Sequence, residues 1–362
     1  MTRTSSLRLS AHPVTSLSLL PLVLFSIMIS IFSGACSHGE GPYAAVEVKS
    51  DTRPSDELTT VKRFAFGSCN KQYLPQPLWK KIIADQPDLF LWTGDVVYAD
   101  TRDMGKLSQI YASQLQQPEY NAFVKSGIPI LGVWDDHDYG ENNGAKDFPP
   151  KKKSQELFLD FLGEKKASPR RQQDGIYTGY SFGEGPESVR FLLLDTRSER
   201  TLATGQHKGD MLGDAQWQWL AKELSAPKSG VTFIVSSIQV LPFEQKFEKW
   251  ENFPQSRAKL LDLIERSPSA NIVLLSGDRH LAEASKLVMK GGRELWELTS
   301  SGMTHAFRNP DDKRNHNSLR VGPVVDRLNY GLIDVDFKTK KLRMTVRDLN
   351  GSAAIDQVVP LL

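Results

Sequence analysis

The sequence predicts an α/β fold whose core is two mixed β-sheets flanked by helices. Short apolar runs alternate with helical stretches from about residue 62 to residue 275, which is the pattern of βαβ units in a largely parallel sheet. After residue 284 the runs follow one another with tight turns between them, which predicts antiparallel strands. The chain has 362 residues, of which 40% are hydrophobic, and this is enough to bury a large core.

The runs in the first part are nearly continuous apolar stretches, which is typical of strands covered on both faces. The predicted strands of this part are residues 63–68, 88–93, 128–133, 191–194, 232–235 and 271–275. Helices are predicted between several of them, at residues 77–84, 154–162, 214–224 and 255–264. Antiparallel strands are predicted at residues 284–289, 295–299, 331–337 and 341–348.

The N-terminus has the pattern of a signal peptide. Arg3 and Arg8 precede an apolar run at residues 17–32, and small residues follow that run. The run is short for a membrane span, which needs about 20 apolar residues, although an uncleaved anchor helix is the alternative interpretation. We therefore predict that residues 1–35 are a signal peptide and that the protein is exported, to the periplasm or the cell envelope.

Cys36 follows Gly-Ala directly, which resembles a bacterial lipobox, although Ser33 stands where that motif usually has leucine. Cys36 is therefore a candidate for lipid attachment. Residues 36–61 are polar and are predicted to be a tether. Residues 62–362 are predicted to form one catalytic domain.

Charge and cysteine content narrow the function classes. The chain has 45 basic and 43 acidic residues, a net charge of +2, so bulk charge indicates no nucleic-acid partner. The only cysteines are Cys36 and Cys69, which excludes a disulfide framework. The sequence does not indicate an oligomeric state.

Clusters of polar residues directly follow four of the predicted strands. They are Gly67-Ser68-Cys69-Asn70, Gly94-Asp95-Val96-Val97-Tyr98, Trp134-Asp135-Asp136-His137-Asp138 and Gly277-Asp278-Arg279-His280. Because the carboxyl ends of parallel strands share one edge of a sheet, we expect the clusters to converge. So many acids at one edge repel one another unless cations neutralise them. Carboxylate, imidazole, thiol and phenol groups together suit transition metals, and carboxylates also bind Ca²⁺ or Mg²⁺.

These motifs, in this order, resemble the PhoD-like branch of the metallophosphoesterase superfamily over residues 62–300. The resemblance implies a four-layer sandwich and a dinuclear site, with Fe³⁺ and Ca²⁺ expected rather than Zn, Mn or Mg. It implies that Asp95 bridges the two ions and that Cys69 and Tyr98 bind the iron. It also implies metal-binding roles for Asp136, with Asp135 beside it, and for Asp278 and His280.

The resemblance implies that His137 protonates the leaving oxygen, and the adjacent Asp138 is the second catalytic candidate. Asn70, Arg197 and Gln239 are the candidate substrate-binding residues. For Gln239 a metal-binding role is the alternative, and for Arg197 the alternative is an ion pair at the surface. His305 and His316 lie in a polar stretch and are expected to be solvated loop residues.

Taken separately, several candidates also have ordinary structural explanations. A lone cysteine such as Cys69 is usually an inert buried thiol. Tyr98, taken alone, would be interpreted as an ordinary interface tyrosine. Taken together, the motifs predict an exported metal-dependent phosphoric ester hydrolase, a phosphomonoesterase or phosphodiesterase, that acts on phosphate esters. One alternative is a non-catalytic surface lipoprotein that binds phosphorylated ligands, and another is a hydrolase of other esters.

Overall fold

The computed structural model describes residues 42–52, 55–202, 209–226, 229–309 and 312–362. The predicted signal segment and Cys36 lie outside these ranges. Within them, no helix combines the length and the apolar character that crossing a membrane requires.

The first sheet contains the N-terminal strands and the C-terminal meander. Its strand order is β13-β12-β11-β1-β2-β3. The strands are β1 (Arg63–Gly67), β2 (Leu89–Thr93), β3 (Ile130–Val133), β11 (Asn329–Asp336), β12 (Lys341–Asp348) and β13 (Ala353–Pro360). Strands β1, β2 and β3 are parallel, whereas β11 pairs antiparallel with β1.

The second sheet is also mixed. Its strand order is β10-β8-β9-β7-β6-β5-β4. The strands are β4 (Thr178–Phe182), β5 (Val189–Leu193), β6 (Val231–Val235), β7 (Ile272–Ser276), β8 (Ala282–Val288), β9 (Glu294–Ser300) and β10 (Arg320–Val325). Strands β5, β6, β7 and β9 run parallel, and β4, β8 and β10 pair antiparallel with their neighbours.

Helices pack against both sheets. They are α1 (Leu78–Ala84), α2 (Met104–Gln116), α3 (Pro118–Lys125), α4 (Asp136–Tyr139), α5 (Lys151–Phe161), α6 (Gly213–Leu224) and α7 (Pro254–Arg266). On the first sheet, Trp79 of α1 packs against Phe90 and Trp92 of β2. On the second sheet, residues of α6 and α7 such as Leu220 and Leu260 share a buried cluster with the strands.

The two sheets pack face to face through aromatic side chains. Phe64 of β1 contacts Phe191 of β5 and Phe233 of β6 edge to face, with ring centroids 4.9 Å and 4.8 Å apart. Such contacts add to the stabilisation that comes from burying the rings. The predicted fold class, two mixed sheets flanked by helices, is confirmed.

Several elements were not predicted, namely α2, α3, α4, β4, β10 and β13. Strand β13 illustrates why, because most of its residues are exposed or half-buried and it lacks a continuous apolar run. The predicted strand direction was incomplete for one strand, β9. Strand β9 is antiparallel to β8, as expected, but it runs parallel to β7 on its other side.

Part of the predicted tether contacts the domain. Val48 is buried, the Val46 amide donates to the Ser108 hydroxyl, and the Thr52 hydroxyl donates to the Leu162 carbonyl. Residues 46–52 therefore pack along α2 and the end of α5.

Candidate metal centre

The predicted clusters meet where the parallel strands of both sheets end. The Asn70 amide donates to the Asp95 carbonyl over 2.9 Å, which joins the loops after β1 and β2. The Met303 amide donates to the Ser68 carbonyl over 3.1 Å, which brings the loop after β9 to the same place. Gly94 allows the loops to approach each other closely, because a Cβ at this position would lie 2.6 Å from the Cβ of Asp135.

Four residues of these loops have left-handed backbone. The φ angles are +62° at Cys69, +50° at Asp95, +66° at Asp278 and +54° at His280. Such angles are uncommon outside glycine, cost of order 1 kcal/mol each and concentrate at functional sites. The backbone is therefore locally strained at the four residues whose side chains are directed into the site.

One group of potential metal ligands consists of Cys69, Asp95 and His280. One donor atom from each lies within 4.8 Å of the others. The Cys69 Sγ is 3.5 Å from the Asp95 Oδ2, and the Tyr98 hydroxyl lies 3.2 Å from that oxygen and 2.9 Å from the His280 Nε2. Thiol, phenol, imidazole and carboxylate groups thus converge on one point.

A second group consists of Asp95, Asp136 and His137, again with one donor atom from each inside 4.8 Å. The Asp136 carboxylate is oriented by the backbone amides of His137 and Asn143, at 2.9 Å and 2.7 Å. Asp95 therefore belongs to both groups, and it is the member that they share.

Three side-chain oxygens of the motif loops are buried without a hydrogen-bond partner. The Oδ1 of Asp95, the Oδ1 of Asn70 and the Oδ2 of Asp135 are buried and accept no hydrogen bond among the described residues. A buried acceptor without a partner is costly in free energy. These atoms are oxygen donors of the kind that cations bind, so the centre fits metal ions.

The pKa shifts of the buried acids also indicate a site for cations. Burial, followed by the charges of Asp136 and Asp135, raises the pKa of Asp95 well above its usual range. Burial likewise raises the pKa of Asp278, and burial followed by the charges of Asp95 and Asp278 raises the pKa of Cys69. A bound cation would reverse these shifts, because it stabilises the ionised forms.

His137 is held by a carboxylate that the sequence analysis did not identify. Both carboxylate oxygens of Asp100 lie 2.9 Å from the His137 Nδ1, and the His137 ring stacks on Tyr98 with centroids 4.1 Å apart. Burial lowers the pKa of His137, but the hydrogen bond to Asp100 and the charge of Asp136 outweigh it, so that pKa is raised.

The geometry does not favour the predicted role of Arg197 in substrate binding. Its guanidinium is fully buried and donates to Asp135 over 2.6 Å and to Glu248 over 2.5 Å. Its Nε and Nη2 are engaged by these two acids and neutralise their charge, whereas its Nη1 is buried without a partner, so a role in substrate binding would have to come from Nη1. Asp135 is correspondingly oriented by Arg197 and by the Ser237 hydroxyl, the latter at 2.6 Å.

The contacts of Asp138 also differ from those expected of a catalytic residue. Its Oδ1 accepts from the Asp135 amide over 2.6 Å, and its Oδ2 accepts from the Val96 amide over 3.0 Å. Both oxygens are used by buried backbone groups, which ties the start of α4 to the loop after β2. The geometry therefore favours a positioning role.

Gln239 lies in a separate buried network. Its amide nitrogen donates to Glu283 over 2.7 Å and to Thr299 over 2.9 Å, which leaves it no donor for a substrate. Asn70 differs, because its nitrogen donates to the Val96 carbonyl and its oxygen stays unpartnered. The substrate-binding prediction for Gln239 is thus not supported by its contacts.

His305 was expected to be a solvated loop residue, and that expectation was wrong. Its Nε2 lies 3.2 Å from the His280 Nε2 and 3.3 Å from the Tyr98 hydroxyl. The sequence offered no signal for this position, because the parallel pairing of β9 with β7, which brings the end of β9 to the same edge, is seen only in the tertiary structure. His316 is exposed, as expected, with 64% of its side chain accessible.

A family model for PhoD-like phosphatases matches residues 106–346, which is more than half of the chain. The chain belongs to the PhoD-like phosphatase family. The matched range includes the motifs around Asp136 and His280, whereas Cys69 and Asp95 lie before it.

A curated relative of this PhoD-like chain is alkaline phosphatase D of Bacillus subtilis (strain 168), 22% identical over 275 residues. The match covers 62% of this chain and 46% of the relative, so the chain spans less than half of that protein's length.

Solved structures support the fold of this PhoD-like protein. The structure of PhoD matches with a TM-score of 0.64 at 17% identity, over 86% of this chain and 73% of that one. Purple acid phosphatase PPD1 from yellow lupin (Lupinus luteus) seeds matches with a TM-score of 0.55 at 14% identity, over 85% and 55%. At these identities the likeness establishes a shared fold.

Proposed function

We propose that this protein is a metal-dependent phosphoric ester hydrolase with two cation positions. The observation that carries the proposal is the sharing of Asp95 by the two potential ligand groups. Two cations held by a common carboxylate lie close enough to contact one phosphate group. Membership of a phosphatase family supports the same reaction class.

Cys69, Tyr98 and His280 would hold one cation with Asp95, and Asp136 would hold the other with Asp95. Asn70 would supply a further oxygen, its unpartnered Oδ1. Asp278, whose charge acts on both Cys69 and Asp95, would supply a carboxylate. Thiolate and phenolate ligands suit Fe³⁺, and a position with oxygen ligands suits Ca²⁺. When bound, the cations supply Lewis-acid chemistry that activates water and offsets the negative charge of the phosphate.

His137 would protonate the leaving oxygen from its Nε2. Asp100 contacts the Nδ1 and keeps that nitrogen protonated, which fixes the orientation of the ring. The raised pKa of His137 favours the protonated form that a general acid requires. We also propose that the protein is exported, with Cys36 as a lipid attachment site, on the basis of the N-terminal sequence.

The test is the variant Asp95→Asn, compared with Asp51→Asn at an exposed position. Metal content is measured by elemental analysis, and turnover is measured with aryl phosphate monoesters and diesters. We expect Asp95→Asn to lose bound metal and to lose turnover by on the order of 100-fold or more. Full activity in Asp95→Asn contradicts the proposal, as does a metal-loaded wild-type protein that binds phosphate esters without hydrolysing them.

A further inference from the structure

Arg279 lies between two candidate metal ligands, Asp278 and His280, and the proposed chemistry assigns it no part. It is only 6% exposed, and its Nε is buried without a hydrogen-bond partner. None of the described acids forms an ion pair with it, whereas the equally buried Arg197 and Arg200 both pair with an acid. Because a buried charge without an ionic partner is costly, other contacts must hold this guanidinium.

Phe247, between β6 and α7, and Asn315, between β9 and β10, hold the guanidinium of Arg279. The Arg279 Cζ lies 4.2 Å from the centre of the Phe247 ring, which is a favourable cation–π distance. The Arg279 Nη2 donates to the Asn315 Oδ1 over 2.7 Å. Asn315 is itself buried, and its carbonyl accepts from the Arg320 Nη2 over 2.6 Å. The side chain is therefore fixed at two points that belong to two other loops.

The backbone on both sides of Arg279 is strained. The Arg279 amide donates to the Gly277 carbonyl over 2.8 Å, which closes a three-residue turn around Asp278. With φ at +66° for Asp278, this is the rare and strained form of γ-turn, and φ is +54° at His280. Such conformations persist only where the surrounding structure determines them. The Gly277 amide donates to the Ser237 carbonyl over 2.9 Å, which fixes the start of the turn.

The end of the turn is fixed by the same loops that hold the guanidinium. The Phe307 amide donates to the His280 carbonyl over 2.5 Å. The rings of Phe307 and Phe247 meet edge to face, with centroids 6.1 Å apart. The turn is thus bonded at both ends, and the Arg279 side chain anchors its middle. Without that anchor, the strained residue on either side of Arg279 loses a restraint.

We infer that Arg279 is a positioning residue, which holds Asp278 and His280 in the conformation that binds metal. The inference rests on the proposed function, because it assumes that these two side chains bind a cation. A purely electrostatic role would act in the opposite direction, because the positive charge of Arg279 repels a nearby cation. Loss of a positioning contact weakens metal binding, whereas loss of a nearby positive charge strengthens it. Metal retention in Arg279 variants therefore separates the two roles.

The experiment compares the full chain, purified with its metals, with the variants Arg279→Met and Arg279→Lys. Each protein is equilibrated with increasing concentrations of EDTA, and the metal that remains bound is measured by elemental analysis. Asn315→Ala removes the hydrogen bond and leaves the guanidinium in place. Arg314→Met is the matched control. Arg314 also lies near the Phe247 ring, 5.5 Å from its centre, but its side chain is 59% exposed and pairs with Asp312.

We expect both Arg279 variants to release half of their metal at an EDTA concentration about tenfold below that of the wild type. Lysine keeps the charge, but it lacks the planar group that can stack on a ring and donate to Asn315 together. Asn315→Ala should shift release in the same direction by a smaller factor, and Arg314→Met should match the wild type. Excess metal should restore aryl phosphate turnover in Arg279→Met, with an unchanged KM for the ester.

Two results would overturn the inference. One is wild-type metal retention in Arg279→Met, and a raised KM for the ester would then make Arg279 a substrate-binding residue. The other is tighter retention in Arg279→Met with wild-type retention in Arg279→Lys, which would make the role electrostatic. If circular dichroism shows that Arg279→Met does not fold, Arg279→Lys and Asn315→Ala decide the question. A wild type that holds no metal contradicts the proposed function and the inference together, whereas a metal-loaded wild type with an insensitive Arg279→Met contradicts the inference alone.

Discussion

The guanidinium of Arg197 and the carboxylate of Asp135 form an ion pair with both side chains fully buried, the Nε of Arg197 lying 2.6 Å from the Asp135 Oδ1. The Nη2 of the same guanidinium also pairs with Glu248. This arrangement compensates one acid of the crowded edge with a fixed cation. Asp136 also lies 3.9 Å from the Arg197 Nη2. Asp95 makes no ion pair among the described residues, so it is the acid that a bound metal ion would neutralise.

Removing that fixed charge should destabilise the protein. Arg197→Met leaves the buried Asp135 without its cation, while Glu248 keeps its pair with Arg200, and breaking a buried pair typically costs about 3–5 kcal/mol. The free energy of unfolding is measured by denaturant titration. Arg266→Met, at an exposed i,i+4 pair with Asp262, is the matched control and should cost less than about 1 kcal/mol. A loss in Arg197→Met as small as in the control argues against this role.

Asp100 should control the protonation of His137. Its hydrogen bond raises the pKa of His137, so Asp100→Asn should lower that pKa. Because the general acid must be protonated, the decline of kcat at high pH should begin at a lower pH in the variant. The pH profile of kcat measures this shift. An unchanged profile would show that Asp100 does not tune the acid.

His137 itself should matter most for poor leaving groups. His137→Ala should reduce turnover of an alkyl phosphate by about 10²–10⁴-fold, because the departing alkoxide then lacks a proton donor. An aryl phosphate with an acidic phenol needs less protonation and should lose less. Equal losses for the two substrates would point to a metal-binding or structural role for His137.

Asp138 should affect stability as well as turnover. Asp138→Ala leaves the buried amides of Asp135 and Val96 without acceptors, at a cost of about 2–4 kcal/mol. Denaturant titration measures this cost, with Asp262→Ala as the exposed control. A variant as stable as the wild type but inactive would instead support the catalytic role that the sequence analysis predicted.

Metal removal should change how stability depends on pH. Burial raises the pKa of Asp135 to about 6 and of Asp138 to about 8, above the value of about 3.9 for unfolded aspartate. The folded chelated protein therefore holds protons that the unfolded chain has released, and its stability falls as the pH rises from about 4 to about 8.

Bound cations replace those protons, so the metal-loaded protein should lose much less stability over the same range. Thermal melting of chelated and metal-loaded samples across that range tests this. Identical pH slopes in the two samples would mean that the acids do not hold cations.

The sequence was informative wherever a chemical motif directly followed an apolar strand. Cys69, Asp95, Asp136 and His280 were identified in this way, and the structure brings their loops together. Elements without a continuous apolar run, such as β13, were not identified, because half-exposed strands resemble loops in composition.

The sequence by itself determined the two-sheet α/β architecture and the donor groups at the strand ends, because both depend on local apolar runs and the polar residues that end them. Only the tertiary structure decided that β9 runs parallel to β7, which carries His305 to the centre. It also decided that Arg197 pairs with Asp135 and that Gln239 faces Glu283. Such partners come from distant segments, and side-chain pairing across segments depends on how the sheets and loops pack, which no local pattern encodes.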